Sequence, residues 1–278
     1  MTYRSLLVLL DQDPLGAART AHAVRLAREL DCHLVGVAPT SLVDLPGSPE
    51  AAATLAELAA RVWDTLRDQA RQATQQFDAA CRSAGLASFE SVVDEDDKAA
   101  SLVHHAHCSD LTLLTQADPS SPAHRSTREV VEQVVLHSAR PTLILPYAGR
   151  FERIGRRALV AWDDSREAAR ALADALPLLR RAEFVKVMTW SPAEAASAAR
   201  ARLDALQRWL MWQGVVAEVQ ADTSPVDITD TILSRAADLN ADLLVMGAYG
   251  HARWAERVLG GATRGLLDAM TLPVLMSH

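Results

Sequence analysis

Four glycines in the last part of the chain are the residues best suited to bind a phosphate. Gly247 and Gly250 follow the apolar run Leu243–Met246, and Gly260 and Gly261 come after nine further residues. Because glycine has no Cβ atom, successive N–H groups can point into one concavity, to which a following helix adds the positive end of its dipole. The spacing predicts an anion site, and it leaves two ordinary loop turns open as the alternative.

Neighbouring residues could hold the outer part of such a ligand. Thr263 carries a hydroxyl two positions after Gly261, with Ala262 between them. Arg253 and Arg257 could reach the outer phosphates, because a guanidinium binds phosphate through paired N–H groups. Pairing of Arg257 with the adjacent Glu256, or simple solvation, is the more ordinary alternative.

Motifs for catalysis or metal binding are not found in the sequence. It has no G-x-x-x-x-G-K-[ST], H-E-x-x-H or G-x-S-x-G pattern, and no nucleophile with an evident base. His104, His105 and His107 suggest a metal site, but adjacent residues of a helix point about 100° apart, so we expect structural or surface histidines. The sequence predicts a binding protein rather than an enzyme, with slow hydrolysis of a bound nucleotide as the alternative.

Strands and helices alternate in the second half, which predicts parallel βαβ units and an open sheet covered on both faces. We expect strands at Arg157–Ala161, Glu183–Thr189, Val215–Gln220, Asp242–Met246 and Leu272–Met276, and helices at Ser165–Leu179, Ala193–Gln213, Val226–Asn240 and Thr263–Met270. Ligands of such sheets lie beyond the carboxyl ends of the strands, near a switch in strand order. Asp163, Thr189 and Gly247 fall at such ends.

Three pairs of matching segments indicate a tandem repeat. The pairs are Leu6–Asp11 with Ala158–Asp163, Ser109–Leu114 with Ala241–Met246, and Arg140–Leu145 with Leu272–Ser277. The offset is 152 residues for the first pair and 132 for the other two, which places an insertion of about 20 residues in the first copy, near 42–62. The predicted domains are residues 1–149 and 153–278, each an open five-stranded parallel sheet flanked by helices.

The first copy lacks the glycines of the second. The offset of 132 aligns Thr115, Asp118 and Arg128 with the glycines at 247, 250 and 260. A carboxylate at Asp118 would repel a triphosphate. Asp11 aligns with Asp163 of the second copy, but the simplest explanation of this acid is that it caps the next helix. We expect one copy competent to bind a nucleotide and one degenerate copy.

Composition excludes several classes of protein. The net charge of −7 without a basic stripe argues against nucleic acid as a partner. No apolar run approaches the ~18 residues of a membrane span, and the N-terminus does not read as a signal peptide, so we expect a cytoplasmic protein with no membrane partner.

Cysteines and tryptophans give weaker expectations about burial. Cys32, Cys81 and Cys108 fit no disulfide or zinc pattern and are expected to be buried thiols. Trp209 and Trp212 share a helix face, for which core packing is expected and a stacked base or a partner surface is the alternative.

The segment G-x-x-G, nine residues and a further G, followed by the strand at Leu272–Met276, resembles the nucleotide loop of universal stress proteins. Gly247, Gly250 and Gly260 match in register. The ATP-binding members of that family usually have Ser or Thr where this chain has Gly261. The resemblance extends through the five-strand copy and implies the family's Rossmann-like fold, similar to adenine-nucleotide α-hydrolases.

The resemblance also implies a ligand and its contacts. Asp163 would lie beside the adenine and ribose, the backbone at Thr189 would contact the base, and the glycine segment would hold the phosphates. The chain is thus expected to bind ATP, with Mg²⁺, in its second copy and to act as a stress-linked binding or regulatory module. A scaffold that binds another small molecule or anion is a further alternative.

The resemblance finally implies an arrangement of the two copies. They are expected to pair within the chain through their last strands, Thr142–Leu145 and Val274–Met276, as single-copy relatives do in a dimer. Dimerisation of the whole chain is left open.

Overall fold

The computed structural model describes residues 2–40, 52–190, 196–223, 227–250 and 261–278. Contacts divide the chain into two compact units, residues 2–114 and 115–278. Strands and helices alternate along both units, which confirms the predicted α/β fold. None of the described helices is long and apolar enough to cross a bilayer.

The unit of residues 2–114 is built on parallel strands in the order β3-β2-β1-β4. Leu6, Leu7 and Val8 of the central β1 are at most 1% exposed, because helices cover both faces of a parallel sheet. The elements in chain order are β1 (Ser5–Leu9), α1 (Gly16–Leu30), β2 (His33–Pro39), α2 (Ala52–Ser83), β3 (Phe89–Asp94), α3 (Lys98–Ala106) and β4 (Leu111–Thr115).

The unit of residues 115–278 begins with the end of the first copy and contains the second. Its elements are α4 (His124–His137), β5 (Thr142–Leu145), β6 (Arg157–Ala161), α5 (Arg166–Leu179), β7 (Phe184–Trp190), α6 (Ala196–Trp212), β8 (Glu218–Asp222), α7 (Ile228–Asp238), β9 (Leu243–Gly247), α8 (Gly261–Ala269) and β10 (Val274–Ser277). The strand order is β5-β10-β9-β6-β7-β8. All neighbours are parallel except β5, which pairs antiparallel with β10.

Predicted and observed elements of the second copy differ mainly at β8, which begins at Glu218 instead of Val215. Gly214 closes α6 with a φ of 77°, and the N–H of Val215 donates to the carbonyl of Leu210 at 2.9 Å. This bond is part of the helix C-terminal turn. It therefore keeps the start of the predicted strand in the turn.

In each copy an Asp carboxylate accepts backbone N–H groups at the start of a neighbouring strand. Asp110 accepts the N–H groups of Arg4 and Ser5 at 2.7 and 3.1 Å. Asp242, which is 132 residues later, accepts the N–H groups of Gly155 and Arg157 at 3.0 and 2.9 Å. Each Asp therefore ties the entry of one strand to the entry of its neighbour.

Two expectations about burial were wrong in part. Cys108 is exposed because it lies in the turn between α3 and β4, whereas Cys32 and Cys81 are buried. Trp212 is 78% exposed at the end of α6, and Met211 beside it is 63% exposed. One side of the last turn of α6 therefore faces solvent, whereas Leu210 in the same turn is buried.

Candidate functional site

The candidate site lies at the carboxyl ends of β6, β7 and β9. Ala161 of β6 is level with Met188 of β7 and with Met246 of β9. Thr189 and Gly247 each follow that level by one residue and Asp163 by two. Because β6 continues into β7 on one side and lies beside β9 on the other, the three residues meet at a switch in strand order, where ligands of open α/β sheets bind.

Asp163 shapes the turn from β6 into α5. Its Oδ1 accepts the N–H and the hydroxyl of Ser165 at 3.1 and 2.5 Å. The hydroxyl oxygen of Ser165 in turn caps α5 by accepting the N–H of Ala168 at 3.1 Å. Within the described ranges no Lys or Arg pairs with Asp163, which is half-buried. Its carboxylate can therefore accept hydrogen bonds from a ligand.

Asp11 of the first copy occupies the matching turn but is already paired. It accepts the N–H of Asp13 at 3.2 Å, as Asp163 accepts that of Ser165. In addition Arg19 Nη2 lies 2.6 Å and Lys98 Nζ 3.1 Å from its two oxygens. Burial raises the pKa of Asp11, but the charges of Arg19 and Lys98 outweigh burial and lower it. In the first copy the protein itself provides the partners of this carboxylate.

Residues 247–250, here called the glycine turn, pack directly against the start of α5. A Cβ atom on Gly247 would lie 2.5 Å from the backbone nitrogen of Ala168. A Cβ atom on Gly250 would lie 2.8 Å from Oε2 of Glu167. At Gly247 the Cβ would meet backbone that cannot move aside, so packing requires glycine there, whereas at Gly250 it would meet the end of a side chain.

Glu167 is a site residue that the sequence did not single out. Its side chain is 6% exposed and is paired with Arg166. Burial raises the pKa of Glu167, but the hydrogen bond and charge of Arg166 and the charge of His278 outweigh it and lower the pKa. An ionised carboxylate therefore lies beneath the glycine turn. In the sequence it reads as an ordinary acid in a first helical turn, which favours the helix dipole.

Thr263 joins the glycine turn to α8. It is 4% exposed, and its Oγ1 accepts the N–H of Tyr249 at 3.0 Å. Gly261 and Ala262 form the first residues of α8, where N–H groups have no partner within the helix. Arg253 and Gly260, and with them Arg257, lie outside the described residues.

The positions in the first copy that align with the glycines make other contacts. Thr115 is the buried last residue of β4. Asp118 accepts the N–H and the hydroxyl of Ser120 at 2.8 and 2.7 Å. Arg128 lies on α4 with its Nη1 2.5 Å from Oδ1 of Asp268 on α8.

The sequence model of the universal stress protein family matches residues 155–278. This range contains Asp163, Thr189, the glycine turn and α8. No curated protein matches the chain.

Solved structures share the fold over nearly the whole chain. A universal stress protein from Archaeoglobus fulgidus DSM 4304 aligns with 98% of this chain and 97% of its own length, with a TM-score of 0.75 and 15% identity. A functionally unknown protein from Pseudomonas aeruginosa PAO1 aligns with 99% of this chain and 92% of its own length, with a TM-score of 0.60 and 18% identity. At these identities the likeness concerns the fold alone.

Proposed function

Because the sequence model of the universal stress protein family matches residues 155–278, we propose that the second copy of this chain binds an adenine nucleotide, ATP first among them, and acts as a stress-response binding module. One observation carries the proposal. Asp163 stands at the switch point with no cation of the described chain beside it, whereas its counterpart Asp11 is held by Arg19 and Lys98.

The geometry supports a role for each part of the site. Asp163 would accept hydrogen bonds from the ribose hydroxyls, and the end of β7 at Thr189 would lie against the base. The N–H groups of Gly261 and Ala262, which have no partner within α8, would bind a phosphate, and Thr263 would keep the glycine turn close to them.

Mg²⁺ would bind at this site as a complex with the nucleotide. The described residues hold no group of three Asp, Glu, His or Cys side chains that could bind a metal, so phosphate oxygens would supply most of the ligands. Bound Mg²⁺ would offset the repulsion between the phosphates and Glu167.

Calorimetric titration with ATP and Mg²⁺ tests the proposal, using Asp163→Asn and the matched control Asp164→Asn. Asp164 has a φ of 64°, which Asn tolerates, and its ion pair with Arg202 is exposed. We expect Asp163→Asn to weaken binding about tenfold, the loss of one hydrogen bond to a charged group, and Asp164→Asn to change it little. No binding by the wild type would refute the function, and equal effects of the two variants would refute the site.

Glu167 favours a second candidate ligand at the same site, an adenine nucleotide with fewer phosphates than ATP. Each additional phosphate charge near this buried carboxylate weakens binding unless a cation is present. Titrations with AMP and ATP, each with and without Mg²⁺, distinguish the two candidates. Tighter binding of AMP under both conditions would select the second.

The arrangement of the copies belongs to the same proposal. The antiparallel pairing of β5 with β10, in which Leu143 is level with Leu275, supports a junction of the copies through their last strands. A cytoplasmic location and a dimer of the whole chain stay predictions, to be tested by cell fractionation and by light scattering.

A further inference from the structure

Helix α4 belongs to the first copy in sequence but contacts α8 of the second copy. Residues 115–278 form one compact unit, so α4 lies in the same unit as β6 to β10. Arg128 of α4 pairs with Asp268 of α8 at 2.5 Å. Gln116, ahead of α4, donates through Nε2 to the carbonyl of Leu267 at 2.8 Å. Two residues of the first copy therefore fix the last turn of α8.

Glu132 of α4 extends these contacts to the first turn of α8. Its Oε1 lies 3.1 Å from Nε of Arg128 and 3.8 Å from Nε of Arg264, the residue after Thr263. Its side chain is 19% exposed. The hydroxyl of Tyr249 is buried and has no hydrogen-bond partner among the described residues. Burial first and the charge of Glu132 second raise the pKa of Tyr249, against the charge of Arg264.

Tyr249 is the residue of the glycine turn that most needs support. Its φ is 54°, the left-handed region, which is uncommon for a bulky residue and persists only where the surroundings hold it. Its backbone N–H is held by Thr263. Its buried hydroxyl has no hydrogen-bond partner among the described residues, so the hydrogen bond that supports this residue comes from Thr263 of α8.

We propose that Glu132 is a positioning residue for the ligand site of the second copy. It holds Arg264 in the first turn of α8, next to Thr263, which in turn holds the backbone of Tyr249, so that helix α4 of the first copy supports a site it does not itself line. The effect on affinity rests on the proposed nucleotide function, whereas the effect on the position of Tyr249 does not.

The test compares Glu132→Gln with Glu129→Gln in the full chain. Glu129 lies on the same helix, is 61% exposed and pairs only with the exposed Arg125 among described residues, so it is a matched removal of charge. One readout is the affinity for ATP with Mg²⁺ by calorimetry. The other is fluorine NMR after fluorotyrosine labelling, because the chain has three tyrosines and Tyr249→Phe identifies the relevant resonance.

We expect Glu132→Gln to weaken ATP binding about three- to tenfold, as residues that act through others do, and to shift the Tyr249 resonance. Glu129→Gln should do neither. An unchanged affinity and an unshifted resonance in Glu132→Gln would overturn the proposal. Should the wild type bind no ATP, the proposed function fails, and the resonance alone decides whether Glu132 positions the turn.

A second variant covers the case in which Glu132→Gln does not fold. Glu132→Asp keeps the charge but withdraws the carboxylate by one methylene, so the same shift in the Tyr249 resonance and a smaller loss of affinity are expected. A resonance identical to that of the wild type in Glu132→Asp would then count against the proposal.

Discussion

Two aspartates at one position of the repeat show how partners decide the role of a residue. Asp11 is bound to Arg19, which is 3% exposed, whereas Asp163 is bound to Ser165 alone among described residues. The sequence predicted Asp163 as a site residue from its place after a strand. It could not predict the pairing of Asp11, because Lys98 is 87 residues away.

Changing each aspartate to Asn should have very different effects on the free energy of unfolding. Asp11→Asn removes the carboxylate paired with the buried Arg19 and should lower the free energy of unfolding by about 3 kcal/mol. Asp163→Asn should change it by less than about 0.5 kcal/mol. Urea unfolding of both variants measures this, and equal losses would contradict the contrast.

Asp174 gives a prediction about pH. Burial raises the pKa of Asp174, and this outweighs the hydrogen bond from Ser277 and the charge of Arg170. An acid whose pKa is higher in the folded state binds its proton more tightly there, so stability falls as pH rises through the interval between the two pKa values. Asp174→Asn should therefore be more stable than the wild type at neutral pH, an advantage that vanishes at about pH 3. Thermal midpoints of the variant and the wild type, measured from neutral pH down to about pH 3, test this, and a difference that does not change with pH would contradict it.

The glycine turn makes a packing contact that could not be predicted from its residue types. Glycines at a strand-to-helix turn could be predicted from the sequence, as could the strands around them. Their contact with Glu167 joins residues about 80 positions apart, which spacing does not encode. It also means that Gly250→Asp would place two carboxylates in contact, and its effect would not report on phosphate alone.

Substitution by alanine should therefore lower the free energy of unfolding by different amounts at Gly247 and Gly250. At Gly247 the new Cβ meets the backbone of α5, which cannot move aside, so we expect a loss of about 1–3 kcal/mol. At Gly250 it meets the end of the Glu167 side chain, which can rotate at about 0.5–1.5 kcal/mol. Neither glycine has a left-handed φ, so steric contact alone is compared. Equal losses in urea unfolding would argue against this packing.

At the scale of the molecule, β5 covers the edge of β10 that an isolated second copy would expose. Residues 153–278 alone would present β10 with unpaired N–H and C=O groups, which favour association with another strand. We expect this fragment to dimerise, because β10 then lacks the partner strand that β5 provides. Light scattering on the fragment measures this, and a monomeric 153–278 fragment would contradict the role of β5.

Joining the copies in one chain also frees them to diverge. Arg128 stands where the second copy has Gly260, and it now pairs with Asp268 of α8. In a dimer of identical subunits, an arginine that supports the partner would replace a loop glycine in every subunit. A tandem chain removes that conflict, because natural selection can act on position 128 for one copy while position 260 keeps its glycine in the other.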